Sequence, residues 1–334
     1  MKNKPYIIIM IVFIILLIIM TITATCFINK KKSIDHDTNI TMVIKSMDPS
    51  FNFWQIVKAG AITAKEEYGI NLKITGPWLE SDVNGQKEIL EELISEKPSA
   101  VILAALDYNA LVPVIKKINL NNIPIITIDS GINSNIPESF IATDNIDAGE
   151  KLGKYMNNLL FQGDAIAIIS FVKGAASAID REKGVRKAIT ENGKLIIEGS
   201  YYCDNFRDKA SEITSNIIKN KPHIKGIISL NDPSTTGAAR AIKESGVEKN
   251  ILLIGFDNGI ENIEFLEEGI IRALVVQKPF NMGYISVKTA IEVLKKNKVN
   301  KQFDTGSVLI SPENMYTQEN QKLLFPLTKE ITIQ

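Results

Sequence analysis

Short apolar runs alternate with segments of helical period along most of this chain. Thr41–Ile44, Leu72–Thr75, Ala100–Ala104 and Ile125–Ile128 are strand-like runs of four or five residues. Between the first two, Phe53, Ile56, Val57, Gly60, Ala61 and Ala64 recur at spacings of three and four, which predicts a helix with one apolar face. Ile89, Leu90, Leu93 and Ile94 predict another. A second set follows residue 145, with strands at Ala165–Ser170, Ile196–Tyr202, Gly226–Leu230, Ile251–Phe256 and Ala273–Val276. Helical patterns over 177–190, 207–220, 234–245 and 258–268 separate them. Strands alternating with helices build parallel sheets covered by helices on both faces. Two doubly wound sheets suit this number of strands better than one very wide sheet.

The N-terminus follows a different pattern. The 23 residues from Tyr6 to Ile28 carry no charge, and a membrane-spanning helix needs roughly 20. A cleaved signal peptide has an apolar core of only about 7–15 residues, so an uncleaved anchor over 1–29 is expected. Thr23-Ala24-Thr25-Cys26 offers a lipoprotein-like alternative, with Thr25 a poor match before the cysteine. Lys30, Lys31 and Lys32 follow the span, so the charge rule does not set its orientation, although large domains cross regardless. A polar linker over 30–39 then leads to the folded part.

Composition narrows the function. The chain has 334 residues, enough for roughly two domains, with 45% hydrophobic and 23% charged residues. Thirty-eight Lys and Arg balance 38 Asp and Glu, so no basic surface recruits nucleic acid. Cys26 and Cys203 are the only cysteines, one in the anchor and one in the body, which excludes an intradomain disulfide. His36 and His223 lack metal-ligand companions in the sequence. Nucleotide-binding glycine loops and a G-x-S-x-G nucleophile elbow are missing, and no cofactor is implied.

The two halves echo one another at strand ends. Ile125–Ile128 runs into Asp129-Ser130-Gly131, and Leu252–Phe256 runs into Asp257-Asn258-Gly259. Ligands of open α/β sheets bind beyond the carboxyl ends of the strands, so Asp129 and Asp257 could share one ligand between facing domains. The alternative is that each starts a turn or caps a helix. Asn231-Asp232, Gln277, Arg181 in Asp180–Gly184, and Phe53-Trp54 stand at comparable positions. For Arg181 the alternative is a surface residue paired with Asp180 or Glu182, and for Trp54 an ordinary core aromatic.

In order and spacing, Ile123–Asp129, Ala142–Asn145, Arg181–Gly184, Asn231-Asp232 and Gly255–Asp257 resemble the type I periplasmic-binding-protein family, in its ribose- and galactose-type sugar receptors. The resemblance covers about residues 40–330. It implies two lobes joined by a three-stranded hinge near Thr143-Asp144, Gln277-Lys278 and Gly306-Ser307. The first lobe would hold 40–143 and 278–306, the second 144–277 and 307–334. It also implies Phe53 and Trp54 as aromatic walls, and Asp129, Arg181, Asn231, Asp257 and Gln277 as a ring of hydroxyl partners.

Two positions depart from the pattern. Ser130 stands where a ribose receptor has Arg, and Asn205 where the second lobe carries an aromatic, which Phe206 could supply after a one-residue slip. The implied ligand is therefore a monosaccharide or related polyol with ribose itself disfavoured. The implied partner is an ABC permease or a sensor histidine kinase beside the membrane, with the anchor favouring sensing. A sugar-processing enzyme or a regulator on the same fold is the alternative.

Overall fold

The computed structural model describes residues 13–21 and 37–326. Residues 13–21 form a helix, α1, whose apolar side chains are exposed. The rest of the expected anchor, including Cys26 and the lysines at 30–32, lies outside the described residues. Among the described residues no helix is long and apolar enough to cross a membrane.

The remainder is α/β with two six-stranded sheets. The first contains β1 (Asn39–Val43), β2 (Asn71–Thr75), β3 (Ala100–Leu103), β4 (Ile125–Ile128), β5 (Ser139–Ala142) and β11 (Gln302–Asp304). The second contains β6 (Ala165–Ser170), β7 (Ile196–Tyr202), β8 (Ile224–Ser229), β9 (Leu252–Phe256), β10 (Ile271–Gln277) and β12 (Ser307–Ile310). Their orders are β11-β5-β4-β3-β1-β2 and β12-β10-β9-β8-β6-β7, so the five consecutive strands of each half are arranged identically. Every pairing is parallel except that of β12 with β10.

The helices are α2 (Asn52–Tyr68), α3 (Val83–Glu96), α4 (Val112–Leu120), α5 (Asn145–Leu159), α6 (Ala176–Asn192), α7 (Arg207–Asn220), α8 (Asp232–Ser245), α9 (Ile260–Glu267), α10 (Pro279–Leu294) and α11 (Gln318–Leu324). The central strands read as continuous apolar runs because both faces are covered. Successive side chains alternate between those faces. Thus Ile40, Met42 and Ile44 join the core beneath α2 and α10, while Val43, Val101 and Leu103 join the one beneath α3 and α4. A single larger cluster fills the second lobe.

Three short strands lack a clear sequence signal. β11 is three exposed residues, β12 is a half-exposed edge, and β5 is four residues long. They are nonetheless the elements that connect the lobes. The chain passes from β5 in the first sheet to α5 over 143–144, from β10 in the second sheet to α10 at Lys278, and from β11 to β12 over 305–306. After the second crossing, α10 packs back onto α2.

One helix contact bears on the site. A Cβ on Gly149 of α5 would lie 2.1 Å from the carbonyl oxygen of Arg181, and one on Gly184 of α6 would lie 2.1 Å from that of Ile146. These two glycines let α5 and α6 touch backbone to backbone, which sets where the start of α6 meets the second sheet.

Candidate functional site

The carboxyl ends of the two sheets face each other across a cavity with about 430 Å³ of empty space. Phe53, Trp54 and Asp129 line it from the first lobe; Arg181, Asn205, Asn231, Asp257 and Gln277 line it from the second. All eight residues singled out in the sequence are therefore gathered around one space. Asn205 is in this lining and Phe206 is not.

The two strand-end aspartates have matching backbone geometry. Asp129 donates its N–H to Ile141 O at 3.0 Å, and Asp257 donates to Val275 O at 2.9 Å. Their φ angles are 57° and 68°, in the left-handed region that Asp and Asn tolerate better than most residues. Asp204 and Asn205, after β7, have φ of 50° and 66°. Each such residue costs on the order of 1–3 kcal/mol, and their concentration here turns side chains off the strand ends toward the cleft.

Arg181 lies on the second turn of α6 and is 2% exposed. It is not a surface residue paired with Asp180 or Glu182; Glu182 bonds Arg186, Ser200 and Tyr202 instead. The Arg181 guanidinium lies over Phe256 at 3.8 Å and near Phe171 at 5.5 Å. Its Nε donates to Asn145 Oδ1 at 2.8 Å and its Nη1 to Leu230 O at 2.7 Å. Two tethers and two rings fix the fork, while Nη2 has no hydrogen bond to another described residue. Burial lowers its pKa, and Asp257, Asp129 and Glu80 oppose that.

Asn231 has two partners. It caps α8, accepting from Ser234 N at 3.1 Å, and donates from Nδ2 to Asn205 Oδ1 at 2.5 Å. Gln277 donates to Asp257 Oδ1 at 2.8 Å. Trp54 also combines two roles, sitting in the first lobe's core and donating from Nε1 to Glu80 Oε1 at 2.6 Å. Phe53 meets it edge to face at 5.0 Å.

Sequence reasoning missed several lining residues. Lys45, two residues past β1, is buried and pairs with Asp129 at 2.6 Å; it also reaches Ser177 Oγ at 3.3 Å in the other lobe. Glu80 enters from the β2–α3 loop, and its pKa is raised by burial. A single lysine after a strand and an acid in a polar turn have the local pattern of solvated residues, so only the tertiary structure reveals them. Phe51, Phe171, Ser177 and Asp232 complete the polar and aromatic lining. Among the described residues no group of three or more His, Cys, Asp or Glu side chains is placed to hold a metal ion.

Burial pushes Asp257 up from the ordinary 3.8 to about 6, against the pull of Arg181 and Gln277. The folded protein therefore retains a proton that the unfolded chain releases. The resulting stability is complete below pH 3.8 and lost as pH rises through about 6. A hydroxyl donates more strongly to the ionised carboxylate than to the neutral carboxyl. Affinity for a hydroxylated ligand should thus be flat above pH 7 and weaker at pH 5, by up to about tenfold. Titration calorimetry across that range checks this, and Asp257→Asn should remove the slope; a wild-type affinity unchanged between pH 5 and 7 would contradict it.

Direct bonds also join the lobes beside the cavity. Tyr108 donates its N–H to Gly174 O at 3.0 Å, and Ser177 donates its N–H to Ser130 Oγ at 3.3 Å. Ser130, which takes the place of the expected Arg, is thus a cross-lobe contact.

Residues 40–298 match the family model described as a periplasmic binding protein domain. The chain is similar to the ribose import binding protein of Haemophilus influenzae, with 27% identity over 274 residues, 81% of this chain and 91% of that one. A solved sugar transporter from Clostridium phytofermentans is 41% identical, covering 81% of this chain and 98% of its own, with a TM-score of 0.76. An ABC transporter solute-binding protein from Agrobacterium vitis, with bound D-fucose, is 34% identical and covers 86% and 100%, with a TM-score of 0.83. With its paired parallel sheets, its facing strand ends and these relatives, the chain belongs to the type I periplasmic binding protein family.

Proposed function

We propose that this protein is an extracytoplasmic sugar receptor, held at the membrane by its N-terminus, which encloses a monosaccharide or related polyol between its lobes. The observation that carries this reading is the composition of the cavity wall. Phe53 and Trp54 offer apolar faces, while Asp129, Arg181, Asn205, Asn231, Asp257 and Gln277 offer donors and acceptors from both lobes. A sugar ring presents C–H faces and a belt of hydroxyls, so it uses both kinds of surface. Binding and release suffice for this role, and no bond need be made or broken. The relatives named for ribose and D-fucose support the ligand class.

The lobes would be 40–143 with 278–306, and 144–277 with 307–334, swinging about the three chain crossings. A ligand that touches both lobes only in the closed form shifts the population toward closure. Two partners could read that closure. The names of the relatives favour an ABC permease, and the expected anchor favours a sensor histidine kinase. Deleting each neighbouring gene separates them: loss of labelled-sugar uptake marks the permease, and loss of sugar-dependent phosphorylation marks the kinase.

The first test is a thermal-shift panel of monosaccharides on the purified protein. One or a few should stabilise it, by about 2.7 kcal/mol at 100 times Kd. A panel of pentoses, hexoses and polyols with no shift would overturn the proposal.

A further inference from the structure

The cavity described above does not end at the cleft mouth. It adjoins a second chamber, half open to solvent, and the two share Phe51, Glu80 and Asn205 in their walls.

Taking the sugar-receptor reading as its basis, we infer that the ligand extends beyond one ring, and that the outer chamber is a subsite for a second, uncharged sugar unit joined to the first. Both lobes contribute to that chamber. Phe51 comes from the first and Phe206 from the second, the latter 45% exposed and facing no core. These are the paired aromatic surfaces that the C–H faces of a sugar would cover. Arg207, the first residue of α7, is half-buried in the wall, and its guanidinium makes one long contact of 3.4 Å, to Asp232. Its Nε is buried without a partner, and the Nη N–H groups not engaged by Asp232 are available to hydroxyls. Glu80 uses one carboxylate oxygen for Trp54, and its other oxygen has no hydrogen bond to a described residue.

The charge around the chamber decides the class of the second unit. Asp48, Glu80 and Asp208 line it, with Asp204 paired with Lys209, against Arg207 and an Arg240 already paired with Glu261 at 2.7 Å. A phosphate or uronate would meet net negative charge there, whereas a neutral glycosyl unit would not.

Titration calorimetry on the full-length chain tests this with matched probes: D-glucose against cellobiose and maltose, D-xylose against xylobiose, and D-galactose against galactobiose. In one of these sets the disaccharide should bind at least tenfold more tightly than its monosaccharide. Phe206→Ala and Arg207→Gln should each weaken the disaccharide about fivefold or more, with Phe206→Ala leaving the monosaccharide unchanged. A monosaccharide binding as tightly as its disaccharides, or variants that weaken both alike, would overturn the second subsite and leave the receptor reading intact. Failure of every sugar to bind would overturn the receptor reading, and the subsite with it.

Discussion

Arg181→Ala should abolish measurable sugar binding, weakening it by at least about a hundredfold, because one side chain organises the second lobe's half of the cavity. Its guanidinium is locked between Phe171 and Phe256 and tied to Asn145 and Leu230. The fork therefore meets a ligand with little further loss of side-chain freedom. A hydrogen bond to a charged group contributes about 1.5–3 kcal/mol, and truncating a buried charged partner costs about 2–5 kcal/mol or more in binding. The loss extends to Asp257. Without the Arg181 charge, its carboxyl, already near 6, holds its proton more firmly and becomes a poorer acceptor at neutral pH. Arg181→Lys should restore little, since an ammonium neither stacks as a plane nor reaches two fixed acceptors at once. Calorimetry checks both variants. A dissociation constant within threefold of wild type for Arg181→Ala would place the ligand elsewhere.

Asp129→Ala should show a second kind of loss, in which binding and folding stability fall together. The Lys45–Asp129 pair measures 2.6 Å with both side chains at most 5% exposed. Removing one member of such a pair strands the other charge in the interior and costs about 3–5 kcal/mol. The variant should therefore unfold at a clearly lower denaturant concentration than wild type as well as failing to bind. Replacing both members, as Lys45→Met with Asp129→Leu, should recover only part of the loss: an apolar pair avoids desolvating two ions, but Leu at a φ of 57° adds about 1–2 kcal/mol of backbone strain. Binding should stay absent in the double variant, as the acceptor is gone. Equal denaturation midpoints for Asp129→Ala and wild type would show that the pair contributes nothing to the fold. From the sequence alone, Asp129→Ala reads as a simple loss of a ligand contact; the buried lysine makes it both.

The fold was legible where burial leaves a mark on the sequence. β1, β3, β4, β6, β8, β9 and β10 are apolar runs with helices on both faces, and they stand out by composition. β5, β11 and β12 are short or exposed and leave no such mark, although they hold the two sheets to each other. The site was legible for a related reason. In a doubly wound sheet the first polar residue after an apolar strand has a known location, so Asp129, Asn231, Asp257 and Gln277 could be placed before any coordinates. Lys45 and Glu80 could not. Lys45 becomes a cavity residue only by meeting Asp129 from the neighbouring half of the sheet, and Glu80 only by receiving the Trp54 indole N–H. Those are contacts across 84 and 26 residues, read by subtracting the positions, and no local period carries them. The Asn231 amide does two jobs that the sequence does not separate, its oxygen capping α8 and its nitrogen meeting Asn205.

The passage from β11 to β12 limits how such a protein can gape. Asp304 is fixed in one sheet and Ser307 in the other, with only Thr305 and Gly306 between them. Consecutive Cα atoms stand 3.8 Å apart, so this tie reaches about 11 Å at full stretch. Two further ties of comparable length run alongside it. Halves leashed so closely along one edge have little room to drift apart and are left mainly with a jaw-like swing. On the receptor reading proposed above, a membrane partner pressed against them would accordingly gauge an angle, not a distance.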